Sequence, residues 1–262
     1  MVKYIYGCTT DVGSRKKVNQ DAIGVRNYVS KDGNVFFAVI CDGIGGLECG
    51  ELASADTVAQ CMDWFIYEFP QMAGEGIGEK ELRERVEYMI SNQDERLRNY
   101  GAKRNIQLGT TVSILLCMYP RYYIWHVGDC RIYRIGKKMF RLTEDQSLVQ
   151  KELNLGRITE EQARHDKRRN IILQSLGAGD AVMPAFYMGN FEKGDLFLLC
   201  TDGMIHQIEE NELQESFCFQ KKESRNRMEE CQRQLIRKAK ERGERDNLSI
   251  ITVRAEEDIW IG

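Results

Sequence analysis

Residues 36–46 read FFAVICDGIGG, and the fold is predicted outward from this stretch. A short apolar run that is bounded by glycines is typical of a strand buried in a sheet. The run ends at Asp42, so we expect its carboxylate to lie where the sheet stops and water begins. Three glycines follow within four residues, and they let the backbone turn tightly and approach whatever the carboxylate holds. On its own, however, an Asp-Gly pair indicates only a turn.

The same arrangement recurs later in the chain. Residues 197–203 read FLLCTDG, and Asp246-Asn247 precedes the apolar run over 248–253. Acids that converge from distant positions repel one another unless cations lie between them, so the pattern predicts a metal site. Five acids lie at junctions between a loop and a predicted strand: Asp21, Asp42, Asp129, Asp202 and Asp246.

An all-oxygen site of this kind suits a hard cation such as Mg²⁺ or Mn²⁺. Two such ions that share a carboxylate would hold a water between them and lower its pKa enough to give hydroxide near neutral pH, which suits in-line attack on phosphorus. Arg15 and Lys16, close in sequence to Asp21, are candidates for gripping phosphate oxygens; the alternative is a solvated basic loop. The sequence has no Cys/His cluster with zinc spacing, and His126, within a predicted strand, is expected to be a core or face residue and not a ligand.

Composition excludes several classes of protein. The chain has 262 residues and a net charge of −3, which gives no electrostatic reason to expect nucleic acid or a membrane surface as partner. Nine cysteines occur without a CxxC pair, which is typical of reduced thiols used as small apolar side chains in a cytoplasmic protein. We see no signal peptide and no run long enough to span a membrane.

The order of predicted elements indicates an α+β fold. Strands are expected over 3–9, 22–29 and 34–41, with a turn over 31–34, and then a helix with an apolar stripe that begins at Leu52 and ends at Pro70. A second helix, four strands, a polar excursion over 143–178, two more strands, two helices and a last strand follow. We expect two antiparallel sheets packed face to face, with helices on both outer sides, in a single domain over 1–262.

The ordered set of motifs resembles the metal-dependent serine/threonine protein phosphatases of type 2C in their compact bacterial form. A lone DGxGG motif would be a weak indication, whereas an ordered set across roughly 240 residues is specific. The matching segments are DVG (11–13), NQD (19–21), DGIGG (42–46), GE (50–51), AS (53–54), GTT (109–111), VGDCR (127–131), LTEDQS (142–147), GDLFLLCTDG (194–203) and DN (246–247).

The resemblance implies a cofactor of two Mn²⁺ or Mg²⁺ ions and a set of ligands for them. Asp42 would bridge the two ions, and Asp202 and Asp246 would complete the shell of the first. The Gly43 carbonyl and Asp21, partly through waters, would hold the second ion.

The resemblance further implies that Asp129 helps to bind a third, weaker metal ion. It implies a flap over about 145–170 that borders the site and affects the choice of substrate. The implied fold is a central β-sandwich with helices on both sides, in agreement with the order of elements above. The implied substrates are proteins that carry phosphoserine or phosphothreonine, with a Ser/Thr kinase as a natural counterpart.

Three positions depart from the pattern of that family. Lys16 stands where the family has a phosphate-binding arginine, and a lysine offers a point charge and not a bidentate fork, unless Arg15 takes over. Gln20 replaces an acid that some relatives have. Ile44 stands where many eukaryotic relatives have a histidine proposed as general acid, so a leaving alkoxide would take its proton from water or another group.

The sequence therefore predicts a protein serine/threonine phosphatase, with Asp42, Arg15 and Lys16 as catalytic residues. One alternative is a catalytically weak, phosphatase-like module that binds a phosphorylated partner, an interpretation motivated by Lys16. A metal-dependent hydrolase of small phosphates such as nucleotides is a further alternative, although no base-stacking or ribose-binding motif supports it.

Overall fold

Ten strands form two five-stranded sheets in the part of the chain that the structure, a computed structural model, describes: residues 2–30, 33–44, 49–217 and 224–257. The strands are β1 (Val2–Asp11), β2 (Asp21–Ser30), β3 (Gly33–Asp42), β4 (Val112–Met118), β5 (Arg121–Val127), β6 (Arg131–Ile135), β7 (Met139–Arg141), β8 (Ala185–Asn190), β9 (Leu196–Cys200) and β10 (Leu248–Glu257). The first sheet has the order β1-β10-β9-β6-β7 and the second the order β2-β3-β4-β5-β8. Neighbouring strands are antiparallel throughout both sheets.

Helices cover the outer face of each sheet. The helices of the described residues are α1 (Gly50–Asp63), α2 (Phe69–Glu75), α3 (Glu79–Arg104), α4 (Leu148–Asn154), α5 (Glu160–His165), α6 (Asp202–Ile205), α7 (Glu210–Phe217) and α8 (Arg225–Glu241). Of these, α1–α3 pack on the second sheet and α6–α8 on the first. A π-helical turn over Trp64–Glu68 joins α1 to α2. No helix within the described residues combines the length and the apolar content that a membrane crossing needs.

Strand β3 shows why the chain folds into four layers. Successive side chains of a strand point to opposite faces. Phe36 therefore packs between the two sheets, where it meets Leu199 and Val253 of the other sheet. Phe37 points the other way and stacks on Phe65 of the helical layer, with ring centroids 4.5 Å apart. Because both faces of the strand are buried, its sequence is apolar at nearly every position.

A third apolar cluster lies between the first sheet and helices α6–α8, with Leu198 and Ile250 of the sheet packed against Met228 and Leu235. The predicted fold class is thus confirmed: two antiparallel sheets lie face to face with helices outside them. The predicted turn over 31–34 lies partly outside the described residues, and Gly45 and Gly46 of the DGIGG motif lie wholly outside them.

Two details of the first helix differ from expectation. The helix does not end at Pro70, which is the second residue of α2. Pro70 lies in the first turn of α2, where a backbone amide has no intrahelical acceptor, so the proline begins a helix there instead of ending one. Leu52, which we expected on the buried stripe, is 39% exposed. The buried side instead carries Ala53, Ser54 and Thr57.

The segment for which a flap is predicted contains two short helices, α4 and α5, between β7 and β8. Ser147 caps α4 by accepting a hydrogen bond from the amide of Gln150, and a capping box begins α5 at Thr159. Backbone hydrogen bonds close the base of the flap: Leu148 donates to the Ile171 carbonyl (2.8 Å). The segment therefore leaves the first sheet at β7, is closed at its base by this hydrogen bond, and leads on to β8 of the second sheet.

Candidate active site

Asp21 and Asp42 lie directly opposite each other at one end of the second sheet, in the antiparallel register of β2 with β3. Directly opposed residues of an antiparallel pair project to the same face. Thr111 fixes the strand end at Asp42: its hydroxyl accepts the Asp42 amide (2.9 Å), and its own amide donates to the Asp42 carbonyl (2.9 Å). The two carboxylates are thus held by a paired ladder and not by a free loop.

Gly43 follows at a point where the backbone has no room for a side chain. Its amide donates to the carbonyl of Gln20 (3.0 Å). A Cβ at this position would lie 2.4 Å from the Gly50 carbonyl oxygen and 2.6 Å from that of Gln20. Only glycine fits, so the peptide next to Asp42 packs closely between its neighbours.

The first sheet contributes Asp202 and Asp246. Asp202 begins α6 directly after β9, and Asp246 lies two residues before β10. The hydroxyl of Thr201 donates to Oδ2 of Asp21 (2.9 Å), and the amide of Gln20 donates to the side-chain oxygen of Asn247 (2.9 Å). These hydrogen bonds join the ends of the two sheets, so that acids from both face one region.

Asp129 lies in the short connection that crosses from β5 of the second sheet to β6 of the first. Gly128 starts the crossing with a φ of +111°, and a Cβ there would lie 2.4 Å from Cγ2 of Thr111. Its amide donates to the side-chain oxygen of Gln146 at the base of the flap (2.9 Å). Asp129 itself is buried. The structure therefore brings all five predicted acids to one end of the sandwich.

The electrostatics of this cluster are those of carboxylates that oppose one another. Burial, together with the charges of Asp21, Asp202, Asp129 and Asp246, raises the pKa of Asp42 well above its ordinary range. Burial likewise raises the pKa of Asp21 to about 7, and the charges of Asp202 and Asp246 add to this effect. In the absence of a counter-charge, such a cluster destabilises the fold.

Three buried carboxylate oxygens at the site, Oδ1 of Asp21, Asp129 and Asp202, accept no hydrogen bond within the described part of the chain. Buried polar atoms are otherwise nearly always paired. Hard, anionic oxygen donors without a partner fit a hard divalent cation. Among the described residues, no three acidic, cysteine or histidine side chains are spaced as direct ligands of one ion. The three unpartnered oxygens are therefore the observation at this site that fits a divalent cation.

Lys16 and Arg15, the two predicted phosphate-binding residues, lie on the same side of the cluster but differ in their contacts. The Lys16 ammonium forms an ion pair with Oδ1 of Asp246 (2.9 Å). Burial lowers the pKa of Lys16, but the hydrogen bond to Asp246 and the nearby acids outweigh burial and raise it. Arg15 is exposed and lines the cleft beside the cluster.

Sequence analysis did not single out His206 and Glu244, which the structure places at the site. Nε2 of His206 lies 3.5 Å from Oδ2 of Asp202, and its Nδ1 lies 3.5 Å from Oε2 of Glu244. Burial lowers the pKa of His206, but Glu244 and Asp202 outweigh burial and raise it. Glu244 also accepts the amides of Arg245 (2.7 Å) and Asp246 (2.9 Å), so it fixes the backbone that carries Asp246.

His126, in contrast, belongs to the core, as predicted. It is fully buried, and its Nε2 lies 3.1 Å from the Glu144 carbonyl while its Nδ1 lies 2.8 Å from the Ser113 hydroxyl. A carbonyl can only accept, so Nε2 carries the proton and Nδ1 accepts from Ser113. Burial lowers the pKa of His126 to about 4, which keeps the ring neutral.

An open cleft of about 440 Å³ adjoins the acids. Its walls come from four segments of the chain: the loop after β1, the end of the flap, the end of α6 and the loop before β10. The residues that line it are Arg15, Lys16, Arg169, Asn170, His206, Gln207, Gly243, Glu244, Arg245 and Asp246.

Comparison with known proteins identifies the family. Residues 12–245 match the model of the family described as protein phosphatase 2C, and the chain belongs to this family. It is 31% identical over 209 residues to the protein phosphatase PhpP of Streptococcus pneumoniae, which covers 79% of this chain and 81% of that protein.

Solved structures agree with this assignment. The serine/threonine phosphatase of S. agalactiae superposes with a TM-score of 0.83 at 27% identity, over 97% of this chain and 100% of that one. The catalytic domain of the serine/threonine protein phosphatase PstP, solved in complex with two manganese ions, has the same fold, with a TM-score of 0.77 at 22% identity over 98% of this chain and 100% of that one.

Proposed function

We propose that this chain is a metal-dependent phosphatase that hydrolyses phosphoserine and phosphothreonine in proteins. The observation that carries the proposal is the convergence of five acids from both sheets, three of which keep a buried oxygen without a hydrogen-bond partner in the described residues. The relatives of the chain are serine/threonine protein phosphatases of the 2C type, and this cluster has the composition that such chemistry needs.

In this proposal, two Mn²⁺ or Mg²⁺ ions are the cofactor. Asp42 would contribute to both, Asp202 and Asp246 to one, and Asp21 with the Gly43 carbonyl to the other, in part through waters, since among the described residues no three acids are spaced as direct ligands of one ion. When bound, two such ions neutralise the carboxylates and supply a water acidic enough to be a nucleophile near neutral pH. The manganese complex of PstP supports the choice of ion. Asp129 is the candidate for a third, weaker ion.

The remaining residues bind the substrate and orient the acids. Lys16, within reach of Asp246, places its positive charge where it can neutralise phosphate oxygens, and Arg15 stands beside it. Thr201 holds the carboxylate of Asp21, and His206 does the same for Asp202. As the phosphoester bond breaks, the serine or threonine oxygen would take a proton from water or another group, because position 44 carries an isoleucine and not an acid.

The proposal extends to the class of substrate and to the cellular location. The cleft is open to solvent and the relatives of the chain are protein phosphatases, so the substrates we propose are phosphoproteins, generated by a Ser/Thr kinase. We further propose that the enzyme works in the cytoplasm. Cys41, Cys117 and Cys200 support this location, since they are free thiols packed as apolar side chains within the strands.

The test is release of phosphate from a phosphothreonine peptide in the presence and absence of Mn²⁺. We expect turnover that requires the ion and that Asp42→Ala lowers by about 10²-fold or more. Asp180→Asn, at an exposed position outside the cluster of acids, is the matched control and leaves turnover unchanged.

Absence of turnover in the unmodified protein, or turnover that Asp42→Ala leaves intact, would contradict the proposal. The Lys16–Asp246 ion pair favours one second candidate, a module that binds phosphoproteins without hydrolysing them. Tight binding of the phosphopeptide together with negligible release of phosphate would support that alternative.

A further inference from the structure

The cleft beside the acids contains more positive charge than one phosphate group requires. Besides Lys16, three arginines line it: Arg15 from the loop after β1, Arg169 from the end of the flap, and Arg245 from the loop before β10. We call this feature the arginine cleft, defined by Arg15, Arg169 and Arg245. The chain as a whole carries a net charge of −3, so the arginine cleft is a local exception.

The acids that line the same cleft already have partners. Asp246 pairs with Lys16 (2.9 Å). Glu244 lies against His206 and accepts the backbone amides of Arg245 and Asp246. The negative charge in the cleft is thus compensated locally. Within the residues that the structure describes, none of the three arginines forms an ion pair with an acid.

The flap holds two adjacent arginines in different states. Arg168 binds Asp166 through its guanidinium (2.7 Å) and through its amide (2.8 Å). The amide of Arg169 donates to the Asp166 carbonyl (3.2 Å), and this turn leaves its side chain facing the cleft. One arginine is therefore neutralised within the flap, whereas the next lines the cleft with its charge uncompensated.

Three like charges around one cleft repel one another, and an anion that enters the cleft relieves this repulsion. Guanidinium groups bind carboxylates in bidentate fashion. A substrate whose phosphate occupies the Lys16 side of the site extends its neighbouring residues into the adjoining cleft. We propose that the arginine cleft binds acidic side chains that flank the phosphorylated residue, so that the enzyme selects acidic phosphopeptides; this inference rests on the proposed phosphatase function.

Because the arginines come from three separate segments, an acidic flank bridges the end of the flap and the loops that follow β1 and precede β10 of the first sheet. Each exposed guanidinium–carboxylate contact contributes a factor of about two to five. Together the contacts give an expected preference of about tenfold in kcat/KM for acidic over neutral flanks. The preference falls as salt is added, since exposed charges are screened.

The test compares phosphothreonine peptides that differ only in flanking Asp or Asn residues, moved one position at a time on either side. The readout is the ratio of kcat/KM for acidic and neutral peptides. We expect the ratio to fall towards one in a double variant, Arg169→Gln with Arg245→Gln. Arg168→Gln, next in sequence but already paired with Asp166, is the matched control and keeps the ratio.

Charge reversal gives a result that misfolding cannot mimic. We expect Arg169→Glu to favour a peptide with flanking lysines over the acidic peptide. A ratio at or below one in the unmodified protein, or a ratio that the double variant retains, would overturn the inference. Binding of the same labelled peptides, followed by fluorescence anisotropy, gives the ratio independently of turnover. If no peptide is hydrolysed but the acidic one binds preferentially, the proposed function fails and the arginine cleft stands.

Discussion

Thr201 has a larger role at the site than its size suggests. Its hydroxyl donates to Oδ2 of Asp21 (2.9 Å) and accepts the amide of Ser249 (3.0 Å), so it connects β9, β10 and the second sheet. Asp21 has its other oxygen buried without a hydrogen-bond partner in the described residues. The orientation of that free oxygen therefore depends on the bond that Thr201 makes.

We expect Thr201→Val to lower kcat/KM by about tenfold, because a residue that orients a metal ligand typically contributes 10- to 100-fold. The loss of a partner for the Ser249 amide also costs about 1–2 kcal/mol of stability. Thr252→Val is the control, since Thr252 is a buried threonine of β10 that bonds Gln232 instead of an acid of the site. Phosphate release and urea unfolding of both variants are the measurements. Equal effects of both variants on kcat/KM would show that Thr201 acts through stability alone.

Lys16 is the residue whose replacement tests the departure from the family pattern. Lys16→Met removes the charge that faces Asp246, and we expect KM for a phosphopeptide to rise by about tenfold. Lys16→Arg supplies a bidentate fork, and we expect it to lower KM below that of the unmodified protein. Lys17→Met, at an exposed neighbouring position, is the control. Equal KM values for all four proteins would exclude Lys16 from phosphate binding.

His126 makes stability depend on pH. The unfolded chain protonates this ring below about pH 6.5, whereas the buried ring resists protonation down to about pH 4. The unfolded state thus binds more protons between these values, and stability falls as the pH is lowered through this window. Two and a half pKa units correspond to about 3 kcal/mol.

Urea unfolding from pH 4 to pH 7 measures this effect. We expect His126→Gln to have a shallower dependence of unfolding free energy on pH than the unmodified protein. His165→Gln, at an exposed position of the flap, keeps the original dependence. Parallel curves for the unmodified protein and His126→Gln would contradict the assignment, whatever their absolute stability.

At the scale of elements, helix α3 fixes the segment that leads from the flap back to β8. Asp94 of α3 is 1% exposed, accepts the amide of Gly177 (2.9 Å), and pairs with Arg98 (3.0 Å). The amide of Val182 lies 3.4 Å from its other oxygen. The Asp94 carboxylate thus accepts hydrogen bonds from backbone amides that, in this irregular segment, have no neighbouring strand to pair with.

We expect Asp94→Ala to destabilise the protein by about 2–4 kcal/mol, because it leaves buried amides without an acceptor. Glu95→Ala, one residue along the same helix but exposed, costs less than about 0.5 kcal/mol. Urea unfolding compares the two. A difference of less than about 1 kcal/mol would mean that water replaces the carboxylate.

The elements themselves were predictable from the sequence where burial dictates composition. The strand around Phe36 is buried on both faces, so nearly all of its residues are apolar and the sequence alone predicts its burial. The buried side of α1 was not predictable in the same way, because Ser54 and Thr57 face inward. Ser54 donates to the Gln20 carbonyl (2.6 Å), a contact far away in sequence that no helical periodicity reveals.

The residues of the candidate site likewise differ in whether the local sequence reveals them. The five acids stand next to glycines or strand ends, so their positions carry a local signal, and the structure places them together. Whether they bind metal ions stays a prediction. His206 has no such signal: it is a single residue at the end of a four-residue helix, and only the approach of Glu244 from the other side reveals it.

Across the whole molecule, the acids of the site lower the stability of the fold. Mutual repulsion of buried carboxylates lowers stability, and a bound divalent ion adds stability according to its concentration and affinity. We expect Mn²⁺ to raise the melting temperature by several degrees. Without ions, we expect Asp42→Asn to be more stable than the unmodified protein by about 1 kcal/mol and so to melt at a higher temperature. We expect Mn²⁺ to raise the melting temperature of this variant only a little.

Thermal unfolding with and without Mn²⁺ checks this, and Asp180→Asn is again the control. An unmodified protein that Mn²⁺ leaves unchanged would contradict the assignment of the acids as ligands. So would an Asp42→Asn variant that Mn²⁺ stabilises as strongly as the unmodified protein.

The hydrogen bond from Thr201 to Asp21 ties one sheet to the other at a place where charge otherwise drives them apart. A divalent ion bound between these acids would hold the ends of the two sheets together. Inside a cell, the concentration of divalent metal would then set how often the two sheet ends separate. Proteases cleave the opened state, so this concentration would also set the lifetime of each molecule.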